Sequence, residues 1–199
     1  MAGHLRAALD EAARLVQWLR ETDEVLATVD AMADEIATSL KAGGRLVTCG
    51  NGGSMCDAMH MAEELSARYR DDRPALDALA LSDPSYLSCT ANDFGYDRVF
   101  ARGVEAYGRA GDVLVVFTTS GNSPNALAAL EVAGERGMRR FGMLGKGGGK
   151  ALPLCDHAIV VPSDMTDRIQ EMHIKVVHMV IEGIERRLFP NNYAQGLPR

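Results

Sequence analysis

Five short apolar segments recur between residues 46 and 161, each separated from the next by a stretch of helical periodicity. That alternation restricts the fold more than any other feature. The segments are 46–49, 77–81, 113–117, 140–144 and 158–161. Between and after them lie helical stretches at 54–70, 84–91, 96–108, 124–136, a short one near 149–153, and a long one from about 166 to 188. Apolar strands alternating with helices read as βαβ units, whose parallel strands are covered on both faces. Ahead of them, residues 3–20 and 24–41 carry apolar faces (Leu15, Trp18, Leu19; Val25, Leu26, Val29) and end at Gly43 and Gly44. This N-terminal pair packs on the sheet or on another subunit, with the second preferred. No repeat, low-complexity tract or linker splits the chain. It reads as one domain over 1–199, with a helical segment 1–44, an α/β core 45–189 and a tail 190–199.

A net charge of −6 speaks against bulk nucleic-acid or anionic-membrane binding. It leaves an anionic small molecule open, because backbone amides and hydroxyls bind phosphate without a basic patch. No apolar run approaches the roughly 20 residues of a membrane span, and the N-terminus reads as a charged amphipathic helix rather than a signal peptide. Cys49, Cys56, Cys89 and Cys155 form no C-x-x-C pair or zinc-knuckle spacing. Reduced thiols in a cytoplasm are the simplest account.

Two glycine- and hydroxyl-bearing loops sit at strand-to-helix junctions, where parallel sheets bind ligands. In the first, Leu46–Cys49 runs into Gly50-Asn51-Gly52-Gly53-Ser54, and Ser54 with Asp57 forms an S-x-x-D pattern suited to capping a helix. A helix N-terminus with free N–H groups suits a phosphate; a plain tight turn explains the glycines equally well. The loop is neither G-x-G-x-x-G nor a Walker loop, so a nucleotide is not indicated. The second is Thr118-Thr119-Ser120-Gly121-Asn122-Ser123-Pro124, with Ser123 as N-cap and Pro124 at N1. Capping accounts for Ser123 and Pro124, but not for the hydroxyls of Thr118, Thr119 and Ser120, which favour an anion.

His60 and Glu64 project from one face of the helix after the first loop. At that spacing they hold a divalent metal, share proton transfers, or form only a surface pair. Asn92-Asp93-Phe94-Gly95 is ordinary turn chemistry, and Gly145–Gly149 reads as a flexible turn. The last helix carries Asp167, Gln170, His173 and His178 among aliphatic residues, a pattern more typical of a core helix with satisfied imidazoles than of a ligand source. Gln170 and His178 are eight residues apart, roughly 12 Å along an ideal helix. One metal reaches both only if the side chains lean inward, the first turn is irregular, or the two come from different subunits.

Taken together, Cys49-Gly-Asn-Gly-Gly-Ser54, Asp57-Ala-Met-His-Met-Ala-Glu-Glu-Leu65, Ala91-Asn-Asp-Phe-Gly95, Thr119-Ser-Gly-Asn-Ser123 and Asp167-Arg-Ile-Gln-Glu-Met-His-Ile-Lys175, with His178 beyond, resemble the sugar isomerase (SIS) domain family. They span most of the chain in the family's order, and the resemblance is closest to members acting on sedoheptulose 7-phosphate. It implies a flavodoxin-like three-layer α/β/α sandwich with a five-stranded parallel sheet, a homotetramer, and active sites between subunits. It implies substrate contacts from Asn51, Gly52, Gly53, Ser54, Asp57, Glu64, Asn92, Asp93, Thr118, Thr119, Ser120, Ser123, Asp167 and Gln170. It further implies one Zn²⁺ per subunit on His60, Glu64, Gln170 and His178, with Glu64 and His178 as the acid–base pair. Met55 stands where related enzymes often carry His or Ala, and Thr118 replaces the more usual Ser while keeping the hydroxyl.

The implied activity is aldose–ketose isomerisation through an enediol, feeding nucleotide-activated heptose for lipopolysaccharide core or other glycans. The competing class is a non-catalytic SIS protein that binds a partner protein or senses a sugar phosphate. Such proteins lack the full His/Glu/Gln/His set, which this chain keeps.

Overall fold

The computed structural model describes residues 2–194. Strands β1 (Leu46–Gly50), β2 (Ala78–Ala80), β3 (Val113–Thr118), β4 (Arg139–Gly145) and β5 (His157–Val161) form one parallel sheet in the order β2-β1-β3-β4-β5. The helices are α1 (Gly3–Glu21), α2 (Asp23–Lys41), α3 (Gly53–Ser66), α4 (Pro84–Phe94), α5 (Val99–Tyr107), α6 (Pro124–Glu135) and α7 (Thr166–Leu188). None of the described helices is long and apolar enough to cross a membrane.

Strand alternation builds the three layers. Leu46, Val113, Val115, Phe117, Phe141 and Met143 face one core with α2, α3 and α7. Val47, Cys49, Leu114, Val116 and Leu144 face the other, against α5 and α6, with Leu87 and Ala91 of α4 at its edge. Chain order reverses between β1 and β3: β1 leads through α3 to β2 on one side, while β3 leads to β4 and β5 on the other. The crevice at that switch point is where such sheets accept ligands.

All five expected strands are present, to within one or two residues at their ends. The two N-terminal helices are buried to different degrees. α2 packs on the sheet beside α7, with Met32 and Ile36 fully buried. α1 buries Leu15 against Val161, Ile169 and Met172, yet leaves Leu5, Leu9 and Val16 exposed. The short helix expected near 149–153 is instead a pair of tight 3₁₀ turns, Lys146–Gly148 and Leu152–Leu154. Of the expected tail, Pro190–Tyr193 is a 3₁₀ turn, and 195–199 lie outside the described residues.

Helix α3 stops at Ser66 rather than running on to 70, and the cause is a distant arginine. The guanidinium of Arg73 donates to the carbonyls of Glu64 at 2.6 Å, Leu65 at 2.7 Å and Ala67 at 3.2 Å. Its Nε donates to Glu185 at 2.8 Å, and the Tyr193 hydroxyl donates to the other Glu185 oxygen at 2.8 Å. The side chains of Arg73 and Glu185 are each 1% exposed. Removing one partner strands a buried charge and opens the end of α3. Arg73→Ala is expected to cost about 3–5 kcal/mol of folding stability, measured by urea unfolding; a loss below about 1 kcal/mol contradicts this role for the pair.

Candidate functional site

Two places along the α3–α7 contact carry the chemistry. The first is a pocket of about 270 Å³ at the switch point, lined by Asn51, Gly53, Ser54, Phe117, Thr118, Thr119, Ser123, Thr166 and Gln170. Every one of these residues is uncharged. α3, α6 and α7 all begin at this pocket, at Gly53, Pro124 and Thr166, so three positive dipole ends converge on it.

The local sequence explains the close approach. A Cβ at position 53 would sit 2.7 Å from the Gln170 amide, so glycine is what lets that amide lie against the start of α3. Gln170 Nε2 then lies 3.5 Å from Ser54 Oγ. The expected cap by Ser54 and Asp57 does not form: Gly52 is the N-cap, without a side-chain bond. The amides of Ser54, Met55 and Cys56 turn back onto the carbonyls of Asn51 and Gly52. Anion recognition therefore falls to hydroxyls more than to those amides.

In the second loop Ser123 is the N-cap and Pro124 is N1, as expected. The Ser123 hydroxyl makes no capping bond and lies 3.3 Å from Thr118 Oγ1. Gly121 has φ +64°, and a Cβ there would collide with the Gly148 carbonyl. The glycine turn after β4, expected to be flexible, thus buttresses this loop. Its Lys150 amide donates to Asn122 Oδ1 at 3.1 Å, and the Ala151 amide donates to the Gly121 carbonyl at 2.9 Å. Ser120 Oγ accepts the Asn122 amide at 3.1 Å, which holds the side chain in place and leaves its O–H free to donate.

The second place is a cluster of His60, Glu64 and His178, whose ligand atoms all lie within 4.8 Å of one another. His60 Nε2 is 3.1 Å from Glu64 Oε1, His178 Nε2 is 3.7 Å from Glu64 Oε2, and the two Nε2 atoms are 3.5 Å apart. Glu64 Oε2 is buried with no hydrogen-bond partner. Burial pushes the His178 imidazole below its ordinary value, with Glu64 opposing. The ring of Tyr69 stacks on His178 at 6.0 Å between centroids, and the Arg70 guanidinium lies over Tyr69. Two imidazole nitrogens and an orphaned carboxylate oxygen aimed at one point fit a divalent cation of the zinc type, with further coordination positions open.

A single chain does not bring every expected residue together. Gln170 belongs to the pocket, not the cluster, and α7 is regular through its first turn; as a fourth ligand it requires a second copy. Asn92 and Asp93 lie on the last turn of α4, not in a loop. They bond to each other at 2.7 Å, and Cys89 Sγ donates to Asp93. Asp167 is exposed and pairs with Arg168. Gly52 is exposed at the turn. Phe117 and Thr166 line the pocket without having been picked out in the sequence. The Thr166 hydroxyl at the start of a helix was a usable signal; for Phe117, buried at a strand end, there was none.

Comparison with known proteins gives a consistent result. The family model described as the SIS domain matches residues 9–145. The chain is 51% identical over 185 residues to the phosphoheptose isomerase of Vibrio parahaemolyticus, covering 92% of this chain and 97% of that protein. It is 45% identical over 175 residues to the Fusobacterium nucleatum phosphoheptose isomerase, covering 88% and 90%. Among solved structures, phosphoheptose isomerase GmhA from Neisseria gonorrhoeae superposes with a TM-score of 0.84 at 39% identity, covering 92% and 97%. That of Francisella tularensis superposes at 0.88 with 29% identity over the same shares.

Asp57, one turn beyond Ser54, has a buried Oδ2 with no partner. Burial pushes its carboxyl up to about 6, with His60 opposing. The folded value lies above the unfolded one, so the fold disfavours the carboxylate: stability is lost as pH rises through about 6, and the penalty is absent below about 4. In metal-free buffer, Asp57→Asn is expected to melt higher than the parent near pH 8, the gain vanishing near pH 4. Equal melting temperatures at both pH values contradict this.

Proposed function

The chain belongs to the SIS-domain family, among its phosphoheptose isomerases, and from that premise we propose that it converts sedoheptulose 7-phosphate to D-glycero-D-manno-heptose 7-phosphate. This is an aldose–ketose isomerisation and the entry step to nucleotide-activated heptose. The observation that carries the reading is the pairing, along parallel α3 and α7, of an uncharged hydroxyl pocket with a His–Glu–His cluster. Six residues of α3, or ~9 Å of helix rise, separate Ser54 from His60. A ligand engaging both places is therefore an extended chain with its anion at one end and its reacting carbons at the other. An open-chain sugar with a terminal phosphate has that shape.

In this mechanism Ser54, Thr119, Ser120 and Ser123 hold the phosphate, with Thr118 shaping their loop and Gly52 turning the first loop, while Asn51, Gly53 and Gln170 form the opposite wall. Asp57 receives sugar hydroxyls between the two places. Glu64 Oε2, free of hydrogen bonds, takes a proton from C1. His178 gives a proton to the C2 carbonyl oxygen, and a cis-enediol results. Glu64 then returns its proton to C2, His178 accepts the proton of the C1 hydroxyl, and the C1 aldehyde forms. The net change is one hydrogen moved from C1 to C2 and one from the C1 oxygen to the C2 oxygen, with no oxidant consumed.

His60, Glu64 and His178 are proposed to hold one Zn²⁺, with Gln170 of a second copy in reach of the remaining position. The bound ion supplies positive charge that stabilises the developing enediolate. A homotetramer with active sites between subunits is part of the same proposal; the separation of Gln170 from the cluster within one chain and the exposed Leu5, Leu9 and Val16 of α1 support it, and in it Asn92, Asp93 and Asp167 would serve substrate at a subunit boundary. The four cysteines are free, which supports a cytoplasmic setting.

Glu64→Gln keeps the size of the side chain and removes the base. Its kcat is expected to fall by about 10²–10⁴-fold while sedoheptulose 7-phosphate still binds, read by NMR detection of the aldose product and by calorimetry. Unimpaired turnover rejects the role of Glu64. Independently, the parent protein is expected to bind Zn²⁺ by calorimetry and His60→Ala to bind it much more weakly. Full activity after exhaustive chelation rejects an essential metal.

A further inference from the structure

Asn125 has no part in the mechanism above, yet it is a polar side chain only 2% exposed, directly behind the Ser123-Pro124 start of α6. Its amide is locked into a reciprocal pair with Asn51 of the other loop. Asn51 Nδ2 donates to Asn125 Oδ1 at 2.9 Å, and Asn125 Nδ2 donates to Asn51 Oδ1 at 2.9 Å. The reciprocity fixes both amide orientations, because turning either one sets oxygen against oxygen and nitrogen against nitrogen. The Tyr96 hydroxyl donates to the same Asn51 Oδ1 at 3.0 Å, from the 3₁₀ turn that follows α4. Both acceptor sites of the Asn51 oxygen are thereby filled, and a single amide hydrogen is left over. Asn51 is not free to recognise substrate through its carbonyl oxygen.

We propose that Asn125 and Tyr96 are positioning residues that set the gap between the two phosphate-holding loops. The path is short. Asn125 fixes Asn51; the Asn51 backbone carbonyl accepts the Ser54 amide at 3.1 Å; and Ser54 faces Thr119 and Ser123 across the pocket. Tyr96 ties this junction to the segment carrying Asn92 and Asp93. A phosphate that must touch both loops at once is sensitive to their spacing to a fraction of an ångström, whereas proton transfer two helical turns away is not. The effect therefore belongs in substrate affinity rather than in turnover.

The inference rests on the pocket being the phosphate site, so the test measures that first. Inorganic phosphate is titrated into the zinc-loaded parent, Asn125→Leu and Tyr96→Phe, and each is assayed for kcat, KM and melting temperature. Leucine keeps the branched shape of Asn125 at a somewhat larger volume and removes both bonds; phenylalanine removes one bond without altering packing. Asn125→Leu is expected to raise the phosphate Kd and the KM together by about tenfold, the effect of losing two net hydrogen bonds, with kcat within about twofold. Tyr96→Phe is expected to shift both the same way by about threefold. If the parent itself binds no phosphate, the pocket assignment fails and takes this inference with it. If the parent binds and Asn125→Leu binds equally well, the pocket stands and the positioning role is overturned. A fall in kcat and melting temperature at unchanged KM also overturns it, by marking a purely structural residue. Should Asn125→Leu not fold, Tyr96→Phe decides: an unchanged Kd and KM overturn the proposal.

Discussion

Helices α3 and α7 lie side by side on one face of the sheet and point the same way, and the chemistry hangs on how close they come. At their N-terminal ends the contact is Gly53 against Gln170, where an added methyl group would have to push the Gln170 amide aside. Further along, Ala58, Met61 and Leu65 share one core with Val176, Val177, Val180 and Ile181. Small residues at the start and larger ones beyond set the spacing of the pair, so the pocket and the His–Glu–His cluster become two rungs of one ladder. Packing of this density does not deform smoothly; a change at either rung is felt at the other as a shift of a whole helix.

The far end of the ladder is held by the ion pair of Arg73 and Glu185 with the Tyr193 hydroxyl. A buried pair of this kind is weak evidence for stability, since desolvation cancels much of the attraction. Its value here lies in geometry. One guanidinium satisfies three carbonyls at the end of α3, including that of Glu64 itself, and ties them to a carboxylate on α7. The backbone of Glu64, the base of the proposed mechanism, is thus anchored directly. His173 makes a comparable anchor nearer the pocket: its Nε2 donates to the Leu144 carbonyl at the end of β4 at 3.1 Å, and burial pushes its value down to about 4, so it stays neutral. His173 is thus a core histidine as expected, though only one ring nitrogen is satisfied and its Nδ1 is buried without a partner, while His178, five residues on, is the one that reaches Glu64.

The sheet was legible because its signal is local: each strand is a run of apolar residues, and Val113–Phe117 needs no distant partner to be recognised. The hydroxyl loop was legible for the same reason, with Ser123 and Pro124 marking the start of a helix. Failures of the reading cluster where a long-range contact decides. Nothing between 66 and 70 ends a helix by propensity; Arg73, folding back, ends it. The glycines at 145–149 looked like slack and are a strut, because their freedom at positive φ is used to meet Gly121. Asn92 and Asp93 carry turn chemistry but complete the last turn of α4, which Gly95 then ends. Gln170 and His178 looked like one ligand set separated by an awkward distance, and they prove to belong to different rungs. Asn125 was invisible, since an asparagine at the second position of a helix carries no mark of the partner 74 residues earlier.

An acidic chain binding a dianion in a pocket without a single cationic side chain calls for an account in magnitudes. The net charge of −6 acts over the whole surface, and beyond about 8 Å it is largely screened at physiological ionic strength. Inside the pocket three helix N-termini add a favourable field, weakened at α3 because its first amides are bonded back onto Asn51 and Gly52. That field acts at short range, where the distant carboxylates are damped. Hydroxyls then complete the coordination, and they add no fixed positive charge that would hold the product as tightly as the substrate. A lysine at the same place would bind phosphate more strongly, but the added grip would be uniform along the reaction. Uniform binding lowers KM without speeding the proton transfers at the other rung. The uncharged pocket is therefore the arrangement expected when the anion is only a handle and the chemistry happens at the opposite end of the sugar.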